Sequence, residues 1–389
     1  MNSGQFRTPN PPLHRTSSVL FENTAHLEAV WAGMTAGDTR WSMYGTYGTP
    51  TTAALAELVV GREGGAGVAF SPSGLGAVTL ALLSVARTGQ HLLVPDSVYG
   101  PTREFCDTVL PGLGIATEYY DPLVGSGIAR LLRENSAAVF MESPGSYTFE
   151  VQDVPGMVAA IRRAQPELPV IIDNAWGSPG LFRPFDHGVD LSVVPLTKYW
   201  GGHADLLIGA VIANERLWPA VRAMAFALGS CTNADEAYLA LRGARTVNLR
   251  LRAHEANGLA VAQWMQTQPR AGVVLHPALA SCPGHDLWRR DFHGSNGLFS
   301  FELRTANGGP ASVADGARFV DALVSRGHFR LGYSWGGYES MVMPAALPFA
   351  PSLVRTARPW TGGALVRLHI GLDHVPELLN DLQYALRQD

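Results

Sequence analysis

The stretch PVIIDNAWGSPGLFRPFDHGVDLSVVPLTK, residues 169–198, decides the fold, because it contains two short apolar runs in succession. The runs PVIIDN and LSVVPLT have the length and the Val, Ile and Leu content that are typical of buried strands in a parallel sheet. The first run leads to Asp173 and the second to Lys198. Ligands of such a sheet bind beyond the carboxyl ends of its strands, where we expect both side chains to lie.

The same alternation of strand and helix continues on both sides of this stretch. Further strands are predicted at 68–70, 91–95, 115–120, 137–142 and 207–215, and helices at 51–63, 74–87, 101–113 and 154–165. Thr51 or Thr52 is the expected N-cap of the first helix. Repeated strand–helix–strand units imply right-handed crossovers, so the sequence predicts an α/β fold with a seven-stranded, mostly parallel sheet.

Three segments of the chain differ in pattern. Residues 1–50 are rich in Pro, Ser, Thr and Gly and are predicted to form an extended arm. Residues 51–245 form the predicted large domain, and residues 246–389 form a smaller C-terminal α+β domain. The second domain is predicted from a helical stretch at 235–268, half-exposed strands at 297–305 and 364–371, and helices at 312–326 and 374–387.

The composition excludes several classes of protein. The chain has 389 residues, 47% of them hydrophobic and 16% charged, so it is globular rather than disordered. The net charge of −4 gives no electrostatic reason to expect nucleic acid or an anionic membrane as a partner. Three scattered cysteines favour a reducing cytoplasm over a disulfide framework. No apolar run has the length of a membrane span, and the N-terminal residues lack the apolar core of a signal peptide.

Lys198 is the only lysine in the chain, and the other 28 of the 29 basic residues are arginine. A genomic bias towards arginine explains the missing lysines but not the one that remains. A surface charge can be supplied by either residue, whereas only an amine condenses with a carbonyl group. The sequence therefore offers two interpretations of Lys198, a chemical role and a chance retention.

Three further groups fall at predicted strand ends. SPSGLG (71–76) would offer backbone amides that suit a phosphate, although an ordinary helix-starting turn has the same pattern. Asp173 would be costly to bury without a partner such as a protonated pyridine nitrogen, with a helix cap or a ribose ligand as alternatives. Tyr99 in DSVYGP could cover a planar ring or be a simple loop residue. Together with Lys198 the set favours pyridoxal 5′-phosphate (PLP) over a nicotinamide cofactor, because no GxGxxG turn follows the first strand.

Four possible metal ligands lie in the second half of the chain: His276, Cys282, His285 and His293. Their spacings, with 5, 2 and 7 intervening residues, match no standard zinc pattern, so no metal is predicted. Cys106 lies in a predicted helix and is expected to pack rather than to act as a nucleophile.

Long motifs over nearly the whole chain resemble those of the Cys/Met-metabolism PLP-dependent enzymes. They are YGTYGTPT (44–51), DSVYGPTREFCD (96–107), MESPGSYTFEVQDVPGMVAAIR (141–162), IIDNAW (171–176), TKYWGGHAD (197–205), GHDLWRRDFHGSNGLFSFEL (284–303), YSWGGYES (333–340) and LVRLHIGLD (365–373). ESPGS and YSWGGYES are most similar to the bacterial cystathionine β-lyase branch.

This resemblance implies a PLP-dependent transferase type I fold, a PLP cofactor and self-association into dimers or a homotetramer. It also implies a carbon–sulfur β-lyase that acts on cystathionine or another cysteine S-conjugate and releases a thiol, pyruvate and ammonia. Two alternatives stay open. One is γ-elimination or γ-replacement on homoserine- or methionine-type substrates, and the other is a PLP-fold protein that binds without catalysis.

The resemblance also implies a role for each matching position. Lys198 would bind PLP covalently and shuttle protons, Asp173 would pair with the pyridine nitrogen, and Tyr99 would stack on the ring and assist as acid or base. The implied phosphate ligands are Ser73, Gly74, Leu75, Thr197 and, from the arm of a neighbouring subunit, Tyr44. Arg367 would clamp the substrate α-carboxylate. The implied substrate pocket further contains Ser334, Trp335, Tyr47 and Thr46.

Three departures from the family pattern bear on the substrate. Thr46 and Tyr47 stand where the family usually has arginine, followed by a second arginine or an aromatic residue. Phe226 replaces a tyrosine that is common in the β-lyases, and Pro195 replaces a phosphate-binding serine. These changes leave the chemistry at Lys198 intact, but they remove positive charge that would face the distal end of cystathionine.

Overall fold

The computed structural model describes residues 9–37, 42–345, 354–355 and 363–388. A seven-stranded sheet consists of β1 Gly67–Ser71, β2 His91–Pro95, β3 Ala116–Tyr120, β4 Ser136–Glu142, β5 Val170–Asp173, β6 Leu191–Pro195 and β7 Gly209–Ala213. The strand order is β1-β7-β6-β5-β4-β2-β3. Only β7 runs antiparallel to its neighbours within this sheet. The predicted seven-stranded, mostly parallel sheet is confirmed.

The strand directions bring the candidate residues to one edge of the sheet. Strand β7 is antiparallel to both β1 and β6, so β1 and β6 run in the same direction. Ser71 at the end of β1 and Pro195 at the end of β6 both pair with Gly209. The loops after these two strands therefore leave the sheet side by side, next to the carboxyl ends of β5, β4 and β2.

Helices cover both faces of this sheet. They are α2 Pro50–Glu63, α3 Gly74–Val85, α4 Gly100–Thr108, α5 Val154–Ala164, α6 Trp218–Leu228 and α7 Ala234–Ala244. The helix α1 Thr24–Thr35 precedes them in the chain, and α8 Val247–Gln266 packs against the second sheet. Successive strand residues point to opposite faces, so Leu92 packs in a core cluster with α3 and Leu93 packs in another with α5. Burial on both faces explains why the strands are continuous apolar runs rather than alternating ones.

A second, five-stranded sheet lies in the C-terminal part of the chain. Its strands are β8 Ala271–Leu275, β9 Leu298–Leu303, β10 Phe329–Leu331, β11 Ser340–Ala345 and β12 Leu365–His369, in the order β10-β11-β12-β9-β8. The associated helices are α9 His285–Asp291, α10 Val313–Val324 and α11 Val375–Arg387. This confirms a smaller α+β part, while the domain boundaries at residues 50 and 245 stay a prediction.

The structure corrects the predicted start of the first large-domain helix. Its N-cap is Thr49, whose side chain accepts from the Thr52 N–H, and Pro50 occupies the first helical position. Proline suits this position because a first-turn N–H has no partner within the helix. The expected caps Thr51 and Thr52 therefore lie inside the helix.

Several other boundaries differ from the prediction. The segment 1–50 is not wholly extended, since α1 begins after the Asn23 cap. The helix predicted at 101–113 ends at Thr108, and a separate 3₁₀ turn containing Pro111 follows. The stretch 235–268 is two helices, α7 and α8. No helix in the described ranges is long and apolar enough to span a membrane.

Candidate active site

Lys198 lies in the turn that follows β6, at the carboxyl edge of the seven-stranded sheet. Its Nζ donates a hydrogen bond to Ser334 Oγ at 2.9 Å and lies 5.0 Å from the centre of the Trp335 ring. Burial and the positive charge of Arg367 lower the pKa of Lys198 to about 8, although Asp173 opposes the shift. About a tenth of the amine is therefore neutral at pH 7, far more than for an ordinary lysine, and able to act as a nucleophile.

Asp173 ends the neighbouring strand β5 and is 7% exposed. Its Oδ1 accepts the Ala175 N–H at 2.9 Å, and no described residue donates a hydrogen bond to Oδ2. Burial raises the pKa of Asp173 to about 6, while the Ala175 hydrogen bond and the Lys198 charge lower it. A buried carboxylate with one unused oxygen suits a cationic N–H partner in the site.

Glu142 is a site residue that the sequence analysis missed. It ends β4 and pairs in register with Asp173, so two carboxyl groups lie side by side in the interior. Burial, and secondly the charge of Asp173, raise the pKa of Glu142 well above its ordinary value. Glu142 therefore takes up the proton, and the negative charge of the pair stays on Asp173.

Tyr99 is placed at this edge by the same carboxyl group. The Tyr99 N–H donates to Glu142 Oε2 at 2.7 Å, immediately before α4 begins. Burial is the main cause of a raised Tyr99 pKa, with further contributions from Tyr147 and Asp173. The phenol is thus protonated at neutral pH, and its ring is 40% exposed.

The loop after β1 has the features of an anion cradle. Ser73 is the N-cap of α3 and accepts the Gly76 N–H at 3.0 Å. The N–H groups of Gly74 and Leu75 have no hydrogen-bond partner among the described residues. This is usual in the first turn of a helix, where the amides have no partner within the helix. A Cβ on Gly74 would stand 3.0 Å from Pro195, so a glycine lets this loop approach the end of β6 closely.

The Thr197 hydroxyl, another predicted phosphate ligand, forms hydrogen bonds within the protein. Its hydroxyl accepts the Ile208 N–H at 3.0 Å and lies 3.3 Å from the Ile208 carbonyl oxygen, to which it donates. The hydroxyl therefore connects the turn of Lys198 to the segment before β7. Its role as a phosphate ligand stays a prediction.

Arg367 projects from β12 of the second sheet and is 8% exposed. Its Nη2 donates to the Tyr333 carbonyl oxygen at 2.7 Å, and the guanidinium lies 5.2 Å from the centre of the Tyr147 ring. No carboxylate of the described residues forms an ion pair with Arg367. Tyr147 adopts a left-handed backbone conformation at φ 61°. No sequence pattern indicated its position beside Arg367.

The segment 333–338 brings Ser334 and Trp335 to Lys198. A Cβ on Gly336 would stand 2.7 Å from the Tyr199 nitrogen and 2.9 Å from the Lys198 carbonyl carbon. The Gly336 N–H also donates to Nε2 of buried His369 at 3.1 Å. The close approach at Gly336 and the bond to His369 therefore hold Ser334 against the amine.

Thr46 and Tyr47 lie apart from these residues within one chain. Thr46 and Tyr47 line a separate cavity of about 750 Å³, and Phe226 lines it too, with its ring centre 4.7 Å from that of Tyr47. Neither Lys198 nor Arg367 is among the described residues that line it. Tyr44 is exposed.

Two of the three histidines considered as metal ligands have ring nitrogens close to backbone carbonyl oxygens. His276 Nε2 lies 3.1 Å from the Asn296 carbonyl oxygen, and His285 Nδ1 lies 3.0 Å from that of Pro277. Within the part of the chain that the structure describes, no three His, Cys, Asp or Glu residues are arranged to hold a metal ion. Cys106 is buried in the core beside α3, as expected for a packing residue.

These residues form a site for an enzyme that uses a carbonyl cofactor, and comparison identifies the class. The family model described as "Cys/Met metabolism PLP-dependent enzyme" matches residues 1–387. The chain therefore belongs to the Cys/Met metabolism PLP-dependent enzyme family.

Individual relatives show which members of this family the chain resembles. A Rhizobium johnstonii protein, provisionally named a cystathionine beta-lyase, is 45% identical over 374 residues, covering 96% of this chain and 90% of the relative. The cystathionine beta-lyase of Haemophilus influenzae is 39% identical over 381 residues, covering 96% and 92%. The solved structure of cystathionine gamma synthase from Xanthomonas oryzae pv. oryzae has a TM-score of 0.83 at 30% identity, covering 97% of this chain and 92% of that chain.

The residues present fit PLP, the cofactor of this family. Lys198 supplies a partly neutral amine for the carbonyl carbon, and Oδ2 of Asp173 is unused by the described residues. The free amides of Gly74 and Leu75 at the start of α3 suit the phosphate. These three chemical functions are the ones that an aldehyde, a pyridinium and a phosphate require.

Proposed function

We propose that this enzyme is a carbon–sulfur β-lyase that releases a thiol, pyruvate and ammonia from cystathionine or another cysteine S-conjugate. The observation that carries the proposal is the arrangement around Lys198, with Ser334 at 2.9 Å and the charges of Asp173 and Arg367 close enough to shift its pKa. The names of the two curated relatives support the β-lyase assignment.

PLP, when bound, supplies an electron sink for the bonds at the substrate α-carbon. In our proposal Asp173 holds the pyridine nitrogen and keeps it cationic, and the amides at the start of α3 hold the phosphate. Arg367 binds the α-carboxylate and fixes the direction of the Cα–H bond. Lys198 Nζ, displaced by the substrate amine, then removes the proton from Cα.

Tyr99 is placed to complete the elimination. Its raised pKa keeps the phenol protonated, so its oxygen can donate a proton to the departing sulfur. The Tyr99 backbone is held by Glu142, which fixes the position of the ring relative to Asp173. Ser334, as partner of the Lys198 amine, orients Nζ between successive proton transfers.

A second part of the proposal concerns the chemical nature of the substrate. Thr46, Tyr47 and Phe226 are uncharged and line a cavity that Lys198 of their own chain does not line. We propose that they face the substrate site of a neighbouring subunit, and that the distal part of the preferred conjugate is neutral or bulky rather than zwitterionic. Tyr44 is exposed and lies in the same short segment as Thr46 and Tyr47, so we propose that it reaches the PLP phosphate of a neighbouring subunit, in a dimer or tetramer. The three cysteines are free thiols, which supports a reducing compartment such as the cytoplasm.

A γ-reaction is the second candidate, favoured by the likeness to a cystathionine gamma synthase. A screen of cystathionine, cystine, homocysteine and aryl cysteine conjugates separates the two, because β-elimination yields pyruvate and γ-elimination yields 2-oxobutyrate. We expect pyruvate, with one ammonia and one thiol per turnover. Lys198→Ala is the control that removes the amine. Release of 2-oxobutyrate alone would refute the β-lyase assignment. Absence of both keto acids would also refute it, and would favour γ-replacement or a binding protein.

A further inference from the structure

Glu63, the last residue of α2, is a buried acid outside the candidate site. Its side chain is 1% exposed although it carries a carboxyl group. Its Oε1 accepts the hydroxyl of Ser178 at 2.8 Å, and its Oε2 accepts Asn174 Nδ2 at 3.4 Å. Glu63 also accepts a backbone hydrogen bond from Gly180. A carboxyl group is costly to bury, and these three hydrogen bonds offset part of that cost; the two from side chains also connect Glu63 to the candidate site.

The two bonds lead to both reactive segments. Asn174 is adjacent in sequence to Asp173, and it also donates to the Phe182 carbonyl oxygen at 3.2 Å. Ser178 Oγ accepts the indole N–H of Trp200 at 2.8 Å, and Trp200 lies two residues after Lys198. One buried carboxyl group therefore connects the end of β5 to the turn after β6, through side chains alone.

The connection spans the two segments whose separation matters for the reaction. Asp173 sets the position of the pyridine nitrogen and Lys198 sets that of the amine. Their relative placement therefore decides whether Nζ reaches the proton on the substrate Cα. Trp200 is fully buried, so the hydrogen bond of its indole fixes a large rigid side chain rather than a mobile one. A misplacement of about 1 Å at a reacting group costs roughly a hundredfold in rate.

We propose that Glu63 is a positioning residue that holds the Asp173 and Lys198 segments in catalytic register through Asn174, Ser178 and Trp200. This inference rests on the proposed function only where the test measures turnover of a cysteine conjugate. Glu63 contacts neither reactive side chain, so its effect is transmitted through these three neighbours.

The first test compares Glu63→Leu with Glu63→Gln in the PLP-loaded enzyme. Leucine removes both acceptors, and we expect kcat to fall by at least about tenfold, the equivalent of one lost hydrogen bond, with KM nearly unchanged. Glutamine keeps one acceptor for Asn174 Nδ2, and its amide N–H can donate to Ser178 Oγ, which has a second lone pair beside the one that accepts the Trp200 N–H. Glu63→Gln should therefore restore most of the kcat.

A matched pair keeps the test decisive if Glu63→Leu does not fold. Ser178→Ala cuts the connection to Trp200, whereas Ser192→Ala removes a buried hydroxyl of β6 that has no hydrogen-bond partner among the described residues. We expect Ser178→Ala to lower kcat by about three- to tenfold and Ser192→Ala to leave it within about twofold. Equal effects of the two variants would overturn the proposal.

The visible absorbance of the bound cofactor provides a readout that does not need turnover. We expect the pH midpoint of this absorbance to shift in Glu63→Leu and Ser178→Ala but not in Ser192→Ala. A shift without lyase activity on any conjugate would uphold the positioning role and reject the proposed function. A folded, PLP-loaded Glu63→Leu enzyme with unchanged midpoint and unchanged kcat would reject the positioning role.

Discussion

Replacement of Arg367 by leucine should remove most of the selectivity for α-carboxylates. Among the described residues Arg367 has no acidic partner, and its hydrogen-bond acceptors, chiefly the Tyr333 carbonyl oxygen, all contact Nη2. No described residue accepts from Nη1 or Nε, and we expect these groups to bind the ligand. Two charge-assisted hydrogen bonds to a carboxylate contribute about 1.5–3 kcal/mol each. The loss of about 3–6 kcal/mol corresponds to a decrease in kcat/KM of roughly a hundredfold to ten-thousandfold.

The assay measures kcat/KM for a cysteine conjugate together with inhibition by alanine and by alaninamide. The wild-type enzyme should bind alanine more tightly, because only alanine carries the α-carboxylate. In Arg367→Leu the two inhibition constants should converge. The ratio isolates the carboxylate contact from any general loss of activity, since both inhibitors share the amine and the side chain.

Arg330→Leu is the control for the loss of an arginine. Arg330 lies on β10, is exposed, and donates only to a carbonyl oxygen of the turn before it, at Gly327. Its removal should change kcat/KM by less than about twofold. An Arg367→Leu enzyme that keeps both its kcat/KM and its preference for alanine would show that the carboxylate is bound elsewhere.

Three further predictions concern the cofactor and the distal pocket. Borohydride reduction of the PLP-loaded enzyme should leave a pyridoxyl adduct on the peptide that contains Lys198, and mass spectrometry that finds none there would reject the covalent role. Because the pKa of Lys198 is lowered to about 8, covalent capture of PLP by the apoenzyme should accelerate as the pH rises through about 8 and then level off; stopped-flow absorbance that shows a constant rate would contradict this. Thr46→Arg should slow the loss of PLP during dialysis, and with Tyr47→Arg it should raise turnover of cystathionine relative to neutral conjugates; an unchanged preference would refute the substrate proposal.

The strands of the large sheet were predictable because their signal is local. Six of the seven are short apolar runs bounded by turn residues, and burial on both faces makes those runs continuous; the edge strand β3 is partly exposed. The strands β8 and β10 were missed, since partial exposure gives them weaker patterns. Most of β11 is buried, but Pro344 within it argues against a strand in the sequence. The cap at Thr49 was missed because Thr51 and Thr52 have the same capping chemistry, and only the position of Pro50 distinguishes them.

The candidate site was predictable where chemistry leaves few alternatives. Lys198 could be identified because the chain has no other lysine. Glu142 and Glu63 could not be identified in this way, since a strand-end or helix-end glutamate is common on a surface. Their importance depends on register and packing, which place Glu142 beside Asp173 and bury Glu63 against Asn174.

The charges around Lys198 suggest how substrate binding and proton removal are coupled. In the free site burial, and secondly the positive charge of Arg367, lower the pKa of Lys198, which keeps part of the amine neutral and nucleophilic. In the proposed complex the substrate carboxylate neutralises Arg367, so this lowering effect is weakened. The pKa of Lys198 then rises, and the amine released by the substrate is a stronger base for the Cα proton. Before the substrate binds, Arg367 would thus favour attachment of the cofactor to Lys198. After the substrate has bound, the neutralised Arg367 would favour proton transfer from Cα to Lys198.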